Sequence, residues 1–261
     1  AADGTRCATS MMNFDMTHLV VHMMTDSAGY SLSEYDMESV NLFDVRFAAK
    51  NRFSRLLSSN TASKSKQELH LTQVNYVSGD KEFMLTVEHP RIVLTPWAYR
   101  ELWSFVWPLF ESALESWDLW LSDGEPPKPP DPNKAVDWTF RVTVTDPEIV
   151  LVTDASQASC EALVLKGALL FKHYEPASGG QIRSLHFRQL EAFRCLLLAG
   201  QNDDLAEDPT MVSMVEPTDI TIFHEWMPSK QREKWAVEVE PMNFTVSYHD
   251  FRMLSVLYYY W

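Results

Sequence analysis

The chain has 261 residues, 46% of them hydrophobic and 22% charged, a composition that buries a core and is far from that of a disordered segment. Its 22 Lys and Arg against 36 Asp and Glu leave a net charge of −14, which repels a phosphate backbone and an anionic bilayer surface and argues against a nucleic-acid partner. The eight glycines form no GxGxxG, GxxxxGK[ST] or GxSxG pattern, so neither a nucleotide-cradling loop nor a nucleophile elbow is present, and no cofactor motif takes their place.

The N-terminal AADGTRCATS lacks the charged start and apolar stretch of a signal peptide, and no run reaches the 18 apolar residues of a membrane-spanning helix. Three cysteines, Cys7, Cys160 and Cys195, have no CxxC spacing, which points to a reducing compartment and no zinc ribbon. From Asn13 to Met23 the pattern alternates like a strand. His18 and His22 in it are the first candidates for metal ligands, but the glutamate of HExxH is missing and solvated strand histidines are the simpler account. Residues 50–66 carry Lys50, Arg52, Arg55, Lys64 and Lys66 among serines with no acid, and are expected to form a solvated loop.

Strands are predicted at 68–77 and 83–94. Thr95 and Pro96 then make a cap and first turn for a helix from Trp97 to Trp117, kinked or broken at Pro108. Pro126, Pro127, Pro129, Pro130 and Pro132 mark a stiff linker. Its overlapping PxxP spacings suit SH3-type adaptor proteins, although a plain connector is the simpler account. Further strands are expected at 138–151, 162–173, 182–190 and 219–226, with an acidic surface turn at Asp203, Asp204, Glu207 and Asp208. Asp250 is placed to cap a last helix, and the apolar pattern still running at Tyr258-Tyr259-Tyr260-Trp261 reads as an excerpt of a longer polypeptide.

Internal similarity is the most informative feature. Phe83 to Leu94 is echoed by Trp235 to Val246 at a constant offset of 152 residues, which also aligns Tyr99, Arg100 and Leu102 with Phe251, Arg252 and Leu254. Phe140 to Leu151 is a partial third copy, and Met214 to Ile222 a fainter fourth. The unit reads as strand, tight bend, strand, and its central proline, which cannot donate to a ladder, marks a strand start, bulge or bend. Trp138, Phe140, Val142 and Val144 alternate with Thr139, Arg141, Thr143 and Thr145, so one face is dry and one wet. Beyond the proline, Ile92, Leu94, Ile149, Leu151 and Phe244 resume the dry face, while Arg91, Glu148 and Asn243 point to the wet one.

No catalytic constellation emerges. The eight histidines are scattered, and His224 and Glu225, being adjacent on a strand, face opposite ways. The open question is what covers the dry face, since few helices are predicted and sheet-on-sheet packing would need glycine-rich tight turns that the chain lacks. Nine tryptophans, fourteen phenylalanines and twelve methionines suit a core, or replaceable apolar contents.

The stretch VTVTDPEIVLVTDASQASCEALVL, residues 142–165, resembles the middle region of the chorein family of bridge-like, vacuolar-protein-sorting lipid transfer proteins. There a PEIVLV-like run leads through an aspartate to a return strand like ALVL. The tail from Val237 through Glu240-Pro241 and Ser247-Tyr248-His249-Asp250 to Phe251 is similar to a later part of that region, and helix 96–117 after Pro90-Arg91-Ile92-Val93-Leu94-Thr95 fits its punctuating element. The resemblance covers roughly residues 65–261 and implies a mainly β fold: an extended, curled antiparallel sheet forming a hydrophobic trough, with crossing helices between repeats. It divides the chain into a repeat segment 1–121, a linker 122–134 and a second repeat segment 135–261. It further implies a segment that conducts glycerophospholipids, without an enzymatic step, in a cytoplasmic bridge at organelle membrane contact sites, the membranes being reached by other parts of the protein. The groove-lining residues are then Phe83, Leu85, Val87, Ile92, Trp138, Phe140, Val142, Val144, Ile149, Leu151, Val237, Val239 and Phe244. The alternative from the residues alone is a β-rich interaction scaffold whose stripe packs against a protein.

Overall fold

Long strands and few turns characterise the computed structural model, which describes residues 12–44, 53–59, 68–95, 136–157, 159–198, 211–228 and 232–260. Among these described residues twelve strands form one sheet. They are β1 (Met12–Thr25), β2 (Ser31–Asp44), β3 (Arg55–Ser59), β4 (Leu69–Asn75), β5 (Lys81–Glu88), β6 (Pro90–Leu94), β7 (Trp138–Thr145), β8 (Glu148–Val152), β9 (Ser159–Glu175), β10 (Gln181–Leu198), β11 (Val212–Met227) and β12 (Arg232–Val239), followed by one helix, α1 (Tyr248–Tyr260). The scarcity of glycine follows from this plan. The hairpins β1–β2, β4–β5 and β9–β10 are closed by short turns in which Gly29, Gly79 and Gly179 take the positive φ that the turn requires. In the last of these a Cβ on Gly180 would lie 2.6 Å from the Trp226 carbonyl oxygen.

Three pairs of strands lie end to end. β4 and β3 both run antiparallel to β2, beside its first and second halves. β5 and β6 succeed one another after His89, and β7 and β8 after Asp146. Twelve strands therefore occupy nine lanes, in the order β1, β2, β3/β4, β5/β6, β7/β8, β9, β10, β11, β12. β4, β5 and β7 make an upper tier and β3, β6 and β8 a lower one, and β9 pairs with β7 above and β8 below.

Two features correct the expectations. The sheet is mixed: β5 pairs with β7, and β6 with β8, in parallel. The long segment between Leu94 and Trp138 makes this possible, since parallel neighbours need a crossover connection. At the central prolines the structure has the expected strand start and bulge, Pro90 opening β6, in place of a tight bend. His89 (φ 48°) and Asp146 (φ 45°) each take a left-handed conformation just before Pro90 and Pro147, and the lane runs on past them. Opposite β9, the β7/β8 lane carries one residue more than its partner between Val144 and Glu148, which is a β-bulge. β10 has a register shift at the same height, beside Gln189 (φ 49°).

The basic stretch is corrected in part. Arg55–Ser59 forms β3, bonded to β2 and β6, and Phe53 and Leu56 are buried. The apolar residues among the charges belong to the sheet. Residues 50–52 and 60–66, the predicted helix 96–117, the linker 122–134 and the acidic turn 203–208 lie outside the described residues. The two predicted repeat segments meet at β5–β7 and β6–β8, where their strands join one sheet.

The lower tier is packed on both faces. On one, Val93, Val150, Val152, Ala162, Val164, Cys195 and Leu197 form a buried cluster with Phe53. On the other, α1 lays Met253 and Leu257 over Leu151, Leu163, Met214 and Val215. Ser247, rather than Asp250 alone, starts α1. The Ser247 hydroxyl accepts from the Asp250 amide (3.3 Å) while the Asp250 carboxylate accepts from the Ser247 amide (2.6 Å), a reciprocal capping box. Asp250 also meets Arg194 of β10 at 3.2 Å, tying the helix to the sheet.

Burial alone would push the Asp250 carboxyl up, but the Ser247 hydroxyl and amide, then Arg194 and His249, outweigh it and hold the group below its ordinary range. A carboxyl depressed in the folded state contributes stability above its unfolded pKa, and that stability is lost as pH falls through the folded value. The stability difference between wild type and Asp250→Asn, read from denaturant midpoints, is therefore expected to be largest near pH 7 and to shrink as pH drops below about 4.

Candidate functional site

Paired residues on neighbouring strands project to the same face, so the register can be followed across the sheet. One chain of partners runs Leu19, Met37, Leu69, Val87, Val144, Leu169, Phe187, Ile220, Val239. A second, two residues along each strand, runs Val21, Tyr35, Leu71, Leu85, Val142, Phe171, Leu185, Ile222, Val237. Both cross every lane of the upper tier with no charged residue and one polar group, the Tyr35 hydroxyl. A third crosses the lower tier through Leu57, Ile92, Ile149, Leu165, Ala192, Val215 and Phe244, the last by an isolated bridge. Because β9 runs unbroken through both tiers, its alternation puts Leu163 and Leu165 on the face of Leu169 and Phe171.

All thirteen residues predicted to line a groove therefore lie on one face of the sheet. Phe83, Leu85, Val87, Trp138, Phe140, Val142 and Val144 are half-buried in the central lanes, and Val237, Val239 and Phe244 are exposed. Ile92, Ile149 and Leu151 are half-buried in the lower tier, with Leu151 against α1. None of the thirteen is buried, and among the described residues it is α1 that borders this apolar wall, in the lower tier.

The opposite face departs from expectation below the bulges. Arg91 and Glu148, predicted to face solvent, are 5% and 3% exposed. Register places Ser58, Arg91, Glu148, Lys166 and Glu191 in one line across five lanes, with Lys166 2.8 Å and Arg91 4.0 Å from the Glu148 carboxylate. This belt of alternating charge borders the buried cluster. Above it the face is polar, with Asp36, His70, Thr86 and Thr143 in line.

That polar face carries a relay with the connectivity of a catalytic triad. Asp36 bonds His70 Nδ1, and His70 Nε2 lies 2.8 Å from the Thr72 hydroxyl. Acyl transfer also needs free donors for an oxyanion. The backbone around Thr72 is committed to ladders with β2 and β5, and Thr72 is itself buried. The relay fastens β2 to β4. His18 lies 3.0 Å from Glu38, and among the described residues no three His, Cys, Asp or Glu converge as a metal site. Burial pushes the Cys160 thiol up to about 11, leaving it protonated and unreactive.

At the upper margin of the apolar face the rows turn polar between β9 and β12. His173 accepts at Nδ1 from Arg183 Nε (3.2 Å) and faces Glu175 through Nε2 (3.0 Å). Arg183 also donates to Gln181 (2.7 Å). On β11, His224 meets Glu233 (3.0 Å) and stacks on Trp235 at 4.2 Å between ring centroids, and the Trp235 indole N–H donates to the same carboxylate (2.9 Å). These bonds, the indole's first and that of His224 next, hold the Glu233 carboxyl below its usual range. Sequence reasoning missed this corner because its members come from four strands; the signal was the recurrence of His or Trp at the polar end of predicted dry stripes.

Comparison with known protein families and with curated proteins finds no match. Among the described residues no helix is long and apolar enough to cross a membrane.

The corrected placement of Glu148 reverses an expectation about substitution. Glu148→Ala removes the carboxylate that faces buried Arg91 and half-buried Lys166 and is expected to destabilise by about 3–5 kcal/mol, whereas Thr143→Ala, on the polar face above, should stay within about 0.5 kcal/mol. Denaturant unfolding of the two variants distinguishes them.

Proposed function

We propose that this chain is a segment of a bridge-like lipid transfer protein, and that its apolar wall carries glycerophospholipid acyl chains between organelle membranes. The observation that carries the reading is the pair of apolar rows crossing all nine lanes with none of the predicted lining residues buried. A contiguous apolar surface of that extent calls for an occupant.

The chemistry of the wall suits a sliding cargo. It offers methyl, methylene and aromatic surface, the Tyr35 hydroxyl being the one hydrogen-bonding side-chain group in the two rows. Each methylene withdrawn from water contributes about 0.8 kcal/mol. Eight lane spacings of about 4.8 Å give a wall about 40 Å across the strands, room for a few lipids side by side. The rows run perpendicular to the strands, so a tail moving across lanes meets the same kind of side chain at each step. The resemblance of residues 142–165 and of the tail to chorein-family repeats supports the same reading, and with it a cytoplasmic site of action at membrane contacts.

A second reading, a scaffold whose stripe packs against a protein, draws on the exposed aromatics of α1: Phe251, Tyr258 and Tyr259 face away from the sheet. Lipid extraction separates the two. The purified chain is expected to yield mixed glycerophospholipids on organic extraction and mass spectrometry. A sample free of lipid would sink the transfer reading in favour of the scaffold. Placing Asp at Val142, Val144 and Ile149 together should abolish the bound lipid, since unpaired carboxylates cost several kcal/mol on an apolar wall. Arg141→Ala with Thr143→Ala, on the other face of the same strand, should leave it unchanged.

A further inference from the structure

The polar corner between β9 and β12 holds groups for which hydrocarbon tails have no use. Arg183 is exposed, its two bonds go to His173 and Gln181, and among the described residues no carboxylate lies within ion-pair distance of it. Two lanes away, Trp235 is 62% exposed. One of its faces rests on His224, its N–H is held by Glu233, and its other face is open. A rigid aromatic face beside a carboxylate is the chemistry that binds an alkylammonium, and a guanidinium with donors to spare is the chemistry that binds a phosphate.

We infer that this corner seats the zwitterionic headgroup of a phospholipid, with the phosphate on Arg183 and the ammonium between Glu233 and the open face of Trp235. The inference rests on the lipid-carrying reading above and names which headgroups that wall favours. Position agrees with it: these residues lie in register with Phe140 and Trp138, immediately beyond the two apolar rows, where a headgroup would sit with its tails on the wall. Span agrees too. Arg183 and Trp235 are two lanes apart, about 10 Å between backbones, of the order of a phosphocholine with a contact at each end. The local charge decides the class of headgroup. One guanidinium stands among two carboxylates, Glu175 and Glu233, so a headgroup bringing only negative charge is opposed while one that adds an ammonium is matched. At the other end of the same rows stand Met23, Ser33, Gln73 and Phe83, then Thr25, Ser31, Asn75 and Lys81, which offer one ammonium and no carboxylate, and so no such pairing.

The test uses vesicles of equal parts phosphatidylcholine and phosphatidylglycerol with identical acyl chains. The protein is incubated with them, separated by flotation and extracted, and the ratio of bound lipids is read by mass spectrometry. Wild type should enrich phosphatidylcholine. Trp235→Leu, which changes no charge, should lower the ratio about two- to fivefold with total lipid unchanged, and Trp235→Phe should restore part of it. Glu233→Gln should lower it as well, while Glu238→Gln, the same charge change on the opposite face of β12, should not. Lipid bound with a ratio that neither Trp235→Leu nor Glu233→Gln moves, or a Glu238→Gln effect equal to that of Glu233→Gln, would overturn the assignment and leave the transfer reading standing. Absence of lipid from every sample would overturn both.

Discussion

One residue inserted into a strand turns every side chain beyond it to the other face, and the sheet is organised around where that insertion falls. In the β5/β6 and β7/β8 lanes it falls at one height, marked by His89 and Asp146. Phe83, Leu85 and Val87 thereby share a face with Ile92, although the count from 87 to 92 is odd. Were only one of two parallel neighbours to carry the extra residue, their register would slip by one and half of each apolar row would turn to the polar side. The continuity of the wall is thus a property of matched irregularities as much as of alternation.

The same line divides the work of the sheet. Below it both faces are covered, and Val150, Val152, Ala162 and Val164 are fully buried. Above it one face is polar and the other is an apolar wall with no buried lining residue among those predicted. Tight packing is kept to the region flanked by α1 and the buried cluster, while the upper tier's described residues include few that are buried. The Arg91–Glu148–Lys166 belt lies along the boundary. A register slip there would bring like charges together or strand one of them, which makes the belt a device for fixing register.

Much of the upper tier was legible because its strands have one wet face: Trp138 to Val144 alternates cleanly, and all thirteen residues chosen from such alternation fall on one side. The lower tier was misread for the complementary reason. Runs such as Glu148-Ile149-Val150-Leu151-Val152 are apolar at every step after the first, the signature of a strand buried on both sides, and period-two reading wrongly sent Glu148 to solvent. β3 escaped notice because Arg55 and the serines around Leu56 and Leu57 masked a short apolar pair whose burial depends on partners distant in the chain. Parallel pairing cannot be read from local pattern at all. Here, though, a trace of it existed: the offset that aligns Phe83 with Phe140 in the repeat is also the offset at which β5 and β7 are hydrogen-bonded.

That coincidence bears on how such an architecture grows. When two copies of a unit lie side by side in the register of their own alignment, duplication of the coding segment supplies a neighbour already matched in height, face and break. A further copy requires no new solution to the packing problem, only another crossover segment long enough to return the chain to the same end of the sheet. Mutational drift then has a filter, since a substitution is tolerated according to the lane position it occupies and hardly according to which copy carries it. Length becomes an additive trait, open to selection one unit at a time.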